Sequence, residues 1–286
     1  MNYRHGFHAG NHADVLKHLV LVTLLDALKR KDAPFFVLDT HAGRGRYDLT
    51  GGQATKTGEA KSGIRKVWAA KPAGPPALAS FLRAVESSQA GAPDSYPGSP
   101  LLVSQALRPQ DRFAACEVVA DEAAALKALL AHDPHSHVHH RDGYAAIKAL
   151  LPPRDGATRI GRALVLVDPP YEAQEAEYPL IVAAVGDALL RFPQAMFAIW
   201  YPIKQRPSLH PFFRKMSALP AKSMLAVELL VRPDDSPLRM NGSGMLLVNP
   251  PWQIEKEIEP ALKPLAQAMG EAGASWRLTW LKQDKA

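Results

Sequence analysis

The 286-residue sequence predicts an α/β fold, a mainly parallel sheet wound on both faces by helices, and three observations carry that expectation. Short runs rich in Val, Leu, Ile and Phe recur along the chain, with the length and branched composition of strands buried on both faces. Stretches of helical periodicity separate several of these runs, the alternation expected of parallel crossovers. Several runs also end on or just before an acid, at the edge where open α/β sheets bind their ligands.

Taken in order, apolar positions at Val15, Leu16, Leu19, Val22, Leu24, Leu25 and Leu28 predict an amphipathic helix. Lys29-Arg30-Lys31-Asp32 closes it with charge suited to a helix C-terminus. The first strand is expected at 35–39, ending on Asp39 and leading into Thr40-His41-Ala42-Gly43-Arg44-Gly45. Further strands are expected at 112–117, 136–140, 162–168, 195–201, 224–231 and 244–249, which makes a seven-stranded sheet. Helices are expected at 121–130, 144–150 and 178–191. Residues 40–111, between the first two strands, far exceed an ordinary crossover. They read as helix at 58–69, a Pro/Gly linker at 71–76 and helix at 77–87. The expected division is a main domain at 1–50 and 96–286, with a small helical insertion at 51–95. Lys56, Lys61, Arg65 and Lys66 give the insertion a basic face, either a solvated helix surface or an RNA-contacting one.

Lys and Arg total 34 against 28 Asp and Glu, a net charge of +6 that suits a polyanionic partner without establishing one. A single cysteine, Cys116, excludes an intrachain disulfide and Cys-based zinc sites. The start of the chain reads as no signal peptide. The apolar stretch 15–28 is too short to span a membrane and is interrupted by Lys17, His18 and Asp26. A cytoplasmic protein without a membrane partner is the expectation. His132, His135, His137, His139 and His140 lack a recognised ligand spacing, so no metal is expected, and the run reads as polar residues entering a strand.

Asp168-Pro169-Pro170-Tyr171, at the end of the apolar run Ala163-Leu164-Val165-Leu166-Val167, brings a carboxylate, a rigid turn and an aromatic face to one spot. Those parts suit gripping a nucleobase by its exocyclic amine, with Asp168 and the Pro169 carbonyl accepting its hydrogens and Tyr171 stacking on an extruded base. The loop after the first strand does not complete a dinucleotide fingerprint, because Asp48 stands where the third glycine would fall. Glu117, ending the second strand, can accept from both hydroxyls of a ribose. Asp142, after the third, can accept from an adenine amine while Gly143 keeps the backbone close. With Asp39 and Asp168, these acids describe an adenosine-bearing cofactor without phosphates, S-adenosylmethionine. Asn249-Pro250-Pro251-Trp252 is a second motif of the same kind, but Asn249 lacks an anionic acceptor and a last strand tends toward an edge. It is assigned a structural or base-flanking role. Ser99 before Pro100 also reads as a helix N-cap with proline in the first turn.

The block from Tyr3 to His18 (Tyr-Arg-His-Gly-Phe-His-Ala-Gly-Asn-His-Ala-Asp-Val-Leu-Lys-His) resembles the opening of the RlmJ family, bacterial large-subunit ribosomal RNA adenine-N6 methyltransferases. The resemblance continues through Leu38-Asp39-Thr40-His41-Ala42-Gly43, Tyr96-Pro97-Gly98-Ser99-Pro100, Glu117, Asp142-Gly143, Asp168-Pro169-Pro170-Tyr171, Trp200-Tyr201-Pro202 and Asn249-Pro250-Pro251-Trp252. It implies a Rossmann-like class I methyltransferase fold. It also implies a cofactor site of His18, His41, Ser99, Glu117, Asp142 and Gly143, and Asp168 as catalytic proton acceptor. Tyr3 would contact substrate RNA, assisted by His5 and Lys17. The implied substrate is one adenine of 23S rRNA, free or partly assembled, acted on by a monomer. Three rivals stand beside this reading: a DNA adenine methyltransferase, a non-catalytic RNA-binding protein that kept the fold, and a small-molecule methyltransferase.

Overall fold

The computed structural model describes residues 8–50, 59–70, 74–89, 94–171, 174–237 and 240–283. The seven expected strands form as β1 (Phe36–Asp39), β2 (Arg112–Glu117), β3 (Ser136–His140), β4 (Ala163–Val167), β5 (Met196–Ile203), β6 (Met224–Leu230) and β7 (Gly242–Val248). An eighth strand in the same sheet, β8 (Ser275–Lys282), corrects the expected count. It lies at the sheet's edge, half exposed, so its sequence Ser-Trp-Arg-Leu-Thr-Trp-Leu-Lys mixes polar and apolar residues and lacks the continuous apolar run of a buried strand.

The sheet order is β8-β6-β7-β5-β4-β1-β2-β3. The five strands from β3 to β5 are mutually parallel, whereas β7 runs antiparallel to β5 and β6, and β8 antiparallel to β6. The chain steps outward from β1 to β3, then returns to lay β4 and β5 on the other side of β1. The topology therefore reverses between β1 and β4, which places the ligand crevice beyond the carboxyl ends of those two strands.

The helices are α1 (His12–Lys29), α2 (Glu59–Ser62), α3 (Ile64–Ala70), α4 (Pro76–Ser88), α5 (Ser99–Ala106), α6 (Ala120–Leu129), α7 (Gly143–Leu150), α8 (Gln174–Arg191), α9 (His210–Ser217) and α10 (Ile254–Met269). Helix α1 was expected to be amphipathic. It is instead buried almost all round, wedged against α4, α5, α10 and β7, so even Asp14, Lys17 and His18 are inside. The Asn11 side chain starts it by accepting from the backbone N–H groups of Ala13 and Asp14, each at 2.9 Å. The helix expected at 58–69 breaks into α2 and α3 at Gly63, where a Cβ would sit 2.1 Å from the Gly10 carbonyl oxygen. Helix α10 escaped sequence reading because Pro260 and Pro264 look like breakers. Both stand off the buried stripe, while Ile254, Ile258, Ala261, Leu262, Leu265, Ala266 and Met269 are covered, and that burial outweighs the missing backbone donors.

Successive strand residues alternate between two cores. Val37, Phe113, Leu164 and Leu166 face α1, α4, α6 and α10, whereas Leu38, Ala114, Val165 and Val167 face α7, α8 and α9. Helices α2–α4 contribute Ala60, Ile64, Val67, Leu78 and Phe81 to the first core, and Lys61, Arg65 and Lys66 remain exposed. Lys56 lies outside the described residues. No helix among the described residues is long and apolar enough to cross a membrane.

Candidate active site

A cavity of about 250 Å³ opens beyond the carboxyl ends of β1, β2 and β4, at the point where the topology reverses. Of the residues singled out from sequence, Lys17, His18, His41, Ser99, Glu117 and Asp168 line it, joined by Ala42, Gly43, Arg44, Tyr47 and Pro170. Tyr3 and His5 lie outside the described residues. Asp142 and Gly143 are not part of the cavity wall.

The acids at the strand ends divide their work. Glu117 is held by two backbone donors, Gly43 N–H to Oε2 and Val119 N–H to Oε1, both at 2.8 Å. That grip fixes the carboxylate in the wall with lone pairs remaining for a ligand. Asp39 stands behind the wall, fully buried, and accepts from the Ser99 hydroxyl at 2.6 Å. Burial pushes its pKa up to about 7, opposed by the Ser99 hydrogen bond and reinforced by the negative charge of Asp168. The Ser99 hydroxyl is thus a tie between β1 and the start of α5. It does not serve as the expected helix cap, since Gly98 occupies the N-cap position. Asp142 is itself an N-cap, its Oδ1 accepting from Ala145 N–H at 2.7 Å.

Gly143 earns its position by proximity. A Cβ there would fall 2.1 Å from the Thr40 carbonyl oxygen, in the loop that carries His41. Gly143→Ala is expected to destabilise the protein by about 1–3 kcal/mol through overpacking against backbone. Urea unfolding measures it, and stability equal to that of the unaltered protein would contradict the close approach.

Thr40 also sets the state of His41. Its hydroxyl donates to the Leu166 carbonyl at 2.9 Å, so at 2.8 Å it can only accept from His41 Nδ1. The hydrogen-bond pattern therefore assigns the proton to Nδ1 and leaves Nε2 an acceptor. Burial lowers the His41 pKa to about 4, against the opposite pull of Asp168 and Asp142, so the imidazole is neutral near pH 7. His18 Nδ1 pairs with the Tyr96 hydroxyl at 2.9 Å. Tyr96 and Tyr47 sit opposite each other in a short antiparallel ribbon, Arg46–Asp48 with Ser95–Pro97, which carries the chain back to Ser99.

Sequence reading missed Asp14. Lys17 is 4% exposed, and its Nζ donates to Asp168 Oδ2 at 2.5 Å and to Asp14 Oδ1 at 2.8 Å. Asp14 Oδ2 in turn accepts from Gly10 N–H at 2.9 Å. Burial by itself would lower the Lys17 pKa, but Asp14 and Asp168 outweigh it and the net shift is well upward, so the side chain is an ammonium. The lysine expected to help contact RNA is therefore buried between two acids. The only sequence signal was an Asp/Lys pair three residues apart on a helix, a pattern usually solvated.

Pro169 is buried beneath the turn and Pro170 faces the cavity. The half-buried Tyr171 donates its hydroxyl to the Trp200 carbonyl at 2.6 Å, and its ring leans on Trp200 and Tyr178. The second proline motif follows β7, which lies inside the sheet between β6 and β5 and not toward a side edge as expected, and it sits at the end of the sheet opposite the cavity. Because β7 is antiparallel, its end pairs with the start of β5, where Asn249 accepts from Lys222 N–H and donates to the Pro193 and Ala195 carbonyls. Burial pushes the Cys116 thiol up to about 12, which leaves it no role as a nucleophile near neutral pH.

The family model described as ribosomal RNA large subunit methyltransferase D, RlmJ, matches residues 32–282. The chain is 38% identical over 284 residues to the ribosomal RNA large subunit methyltransferase J of Haemophilus influenzae, covering 98% of this chain and 99% of that protein. Identity to the protein of the same description in Escherichia coli is 37% over 282 residues, covering 96% and 98%. A crystal structure from Legionella pneumophila superposes with a TM-score of 0.85 at 33% identity, covering 97% of this chain and 99% of that one.

Proposed function

The chain belongs to the RlmJ family of ribosomal RNA large subunit methyltransferases, and from that membership we propose that it methylates the exocyclic N6 of one adenine in 23S rRNA, with S-adenosylmethionine as donor. One observation carries the chemistry: Asp168, after β4, has its Oδ2 held by the buried Lys17 ammonium, which leaves Oδ1 to accept from a substrate amine.

The residues of the cavity fit the donor. Glu117 offers acceptors to ribose hydroxyls, neutral His41 puts no positive charge beside a sulfonium, and Asp168 adds a negative one. His18 and Ser99 complete the wall of the proposed cofactor site, while Asp142 and Gly143, behind it, act by capping α7 and by letting that helix approach the Thr40–His41 loop. When bound, S-adenosylmethionine supplies an electrophilic methyl group on sulfur.

The amine of adenine is a poor nucleophile because its lone pair is delocalised into the ring. Hydrogen bonds from that amine to Asp168 Oδ1 and to the Pro169 carbonyl would localise the pair and aim it. The nitrogen would take the methyl group from the donor's sulfur, which would leave as a thioether, and Asp168 would accept the proton that the alkylated nitrogen sheds. Tyr171, braced by Trp200 and Tyr178, offers the extruded base a rigid face. Tyr3 and His5 are proposed RNA contacts, and Lys17 acts on the substrate through Asp168. The exposed Lys61, Arg65 and Lys66 of the proposed 51–95 insertion suit phosphate contacts. The acting form is proposed to be a monomer working on free or partly assembled rRNA.

Incubation with labelled methyl donor and unmodified ribosomal RNA, followed by nucleoside mapping, tests the reading. N6-methyladenosine at a single position of the large-subunit RNA is expected. Methylcytosine would overturn the assigned chemistry, and label entering DNA alone would favour the DNA rival.

A further inference from the structure

A second concavity, of about 990 Å³, lies between the start of α8 and the loop after β5, on the far side of Tyr171 from the cofactor cavity. Its aromatic wall continues directly from the catalytic turn. The Tyr171 and Tyr178 ring centroids are 5.7 Å apart, and Tyr178 stacks on Phe212 at 4.3 Å and 19°. Gln174 anchors the near end, its Nε2 donating to the Tyr178 hydroxyl at 2.5 Å and to the Pro202 carbonyl at 3.3 Å. Exposed Lys204 and Lys215 stand on the rim, with Arg214 beside Lys215 on α9, and Glu175 is the carboxylate that lines the groove among the described residues.

Resting on the adenine-methyltransferase reading, we infer that this groove holds the single-stranded RNA flanking the target adenine, with its phosphates on Lys204 and Lys215. A base drawn to Asp168 drags its neighbours with it, and on this side they must leave over Tyr171. There they meet groups that single-stranded RNA binds: the half-buried Tyr178 ring backed by Phe212, the exposed Gln205 amide for base edges, and ammonium groups on the rim. The lysines are compact charges suited to phosphate, whereas Arg206, beneath them, is committed to Glu228 and Asp234. A peptide or membrane partner would not require continuity with the base-gripping turn, which is the feature that ties this groove to the substrate.

The test compares Lys204→Glu/Lys215→Glu with Lys256→Glu/Lys263→Glu, a pair of exposed positions on α10 across the sheet that changes net charge equally. Each protein is assayed for methylation and binding of a 23S rRNA fragment over a range of salt, with S-adenosylhomocysteine binding as the check on folding. The groove variant is expected to raise the RNA KM about ten-fold or more and to lower the log Kd against log salt slope by about 1.5. The α10 variant is expected to move both far less, and all proteins bind S-adenosylhomocysteine alike. Equal KM and slope in the groove variant and the unaltered protein would overturn the groove while leaving the functional reading intact. Failure of the unaltered protein to methylate any rRNA would overturn both. Lys204→Gln/Lys215→Gln should shift KM in the same direction by a smaller factor; no shift with that milder pair would also count against the groove.

Discussion

Asp168→Ala is expected to abolish methyl transfer in practical terms, lowering kcat about 10³-fold or more while RNA binding persists. The more telling variant is Asp168→Asn, which keeps the shape. Lys17 can only donate, so it claims the single amide oxygen and turns the NH2 group toward the substrate. A donor then faces the adenine amine, and kcat should fall nearly as far as with alanine. Single-turnover assays at saturating RNA and donor measure the chemical step. An asparagine variant within a few-fold of the unaltered rate would show that the carboxylate charge and its second acceptor do not matter.

Lys17→Met has the next largest expected effect, and it falls on stability as well as on rate. Lys17 is the ammonium between Asp14 and Asp168, and removing one partner of a buried ionic group costs about 3–5 kcal/mol. The pH dependence distinguishes this from simple loss of packing. In the unaltered protein the Lys17 pKa lies well above its ordinary 10.5, so its contribution is complete below that pH and fades only as pH climbs through the raised value. In the variant, Asp14 and Asp168 face each other's charge without it and should take up protons more readily folded than unfolded. Its stability should therefore rise as pH falls from neutrality toward 5, the reverse of a protein held by intact buried ion pairs. Adding Asp14→Asn to Lys17→Met removes one negative charge with the positive one, so the double variant should cost less than the sum of the singles. Urea titrations of the four proteins at pH 7 and pH 5 give both answers. Strict additivity and no pH effect would mean the charges are not coupled.

Buried order was more legible in this chain than half-exposed order. The strands β1, β2 and β4 to β7 announce themselves because residues covered on both faces must be apolar, whereas β3, an edge strand of Ser-His-Val-His-His that is nowhere fully buried, was read without that signal. The edge strand β8 wears the mixed pattern of a surface. Asp168-Pro169-Pro170-Tyr171 was readable because a rigid turn after a buried strand can deliver its carboxylate to only one end of the sheet. Asn249-Pro250-Pro251-Trp252 looked similar, and only the antiparallel direction of β7, a property of pairing rather than of sequence, sends it to the other end. The four acids placed together by reading also separate in space. Glu117 and Asp168 reach the cavity, while Asp39 braces Ser99 behind it and Asp142 caps α7. The Asp14–Lys17–Asp168 chain was invisible for a related reason. Helix charges three apart are usually on a wet face, and nothing local to α1 says that this helix is enclosed on every side.

The central claim is geometric: the Asp168 carboxylate faces the donor's sulfur across one crevice. A crystal structure with S-adenosylhomocysteine tests it most directly. The ribose hydroxyls are expected on Glu117, with the sulfur at the Asp168 end of the cavity and Lys17 still on Oδ2. A ligand seated with its sulfur turned away from Asp168, or bound in the Tyr178–Phe212 groove, would contradict the account.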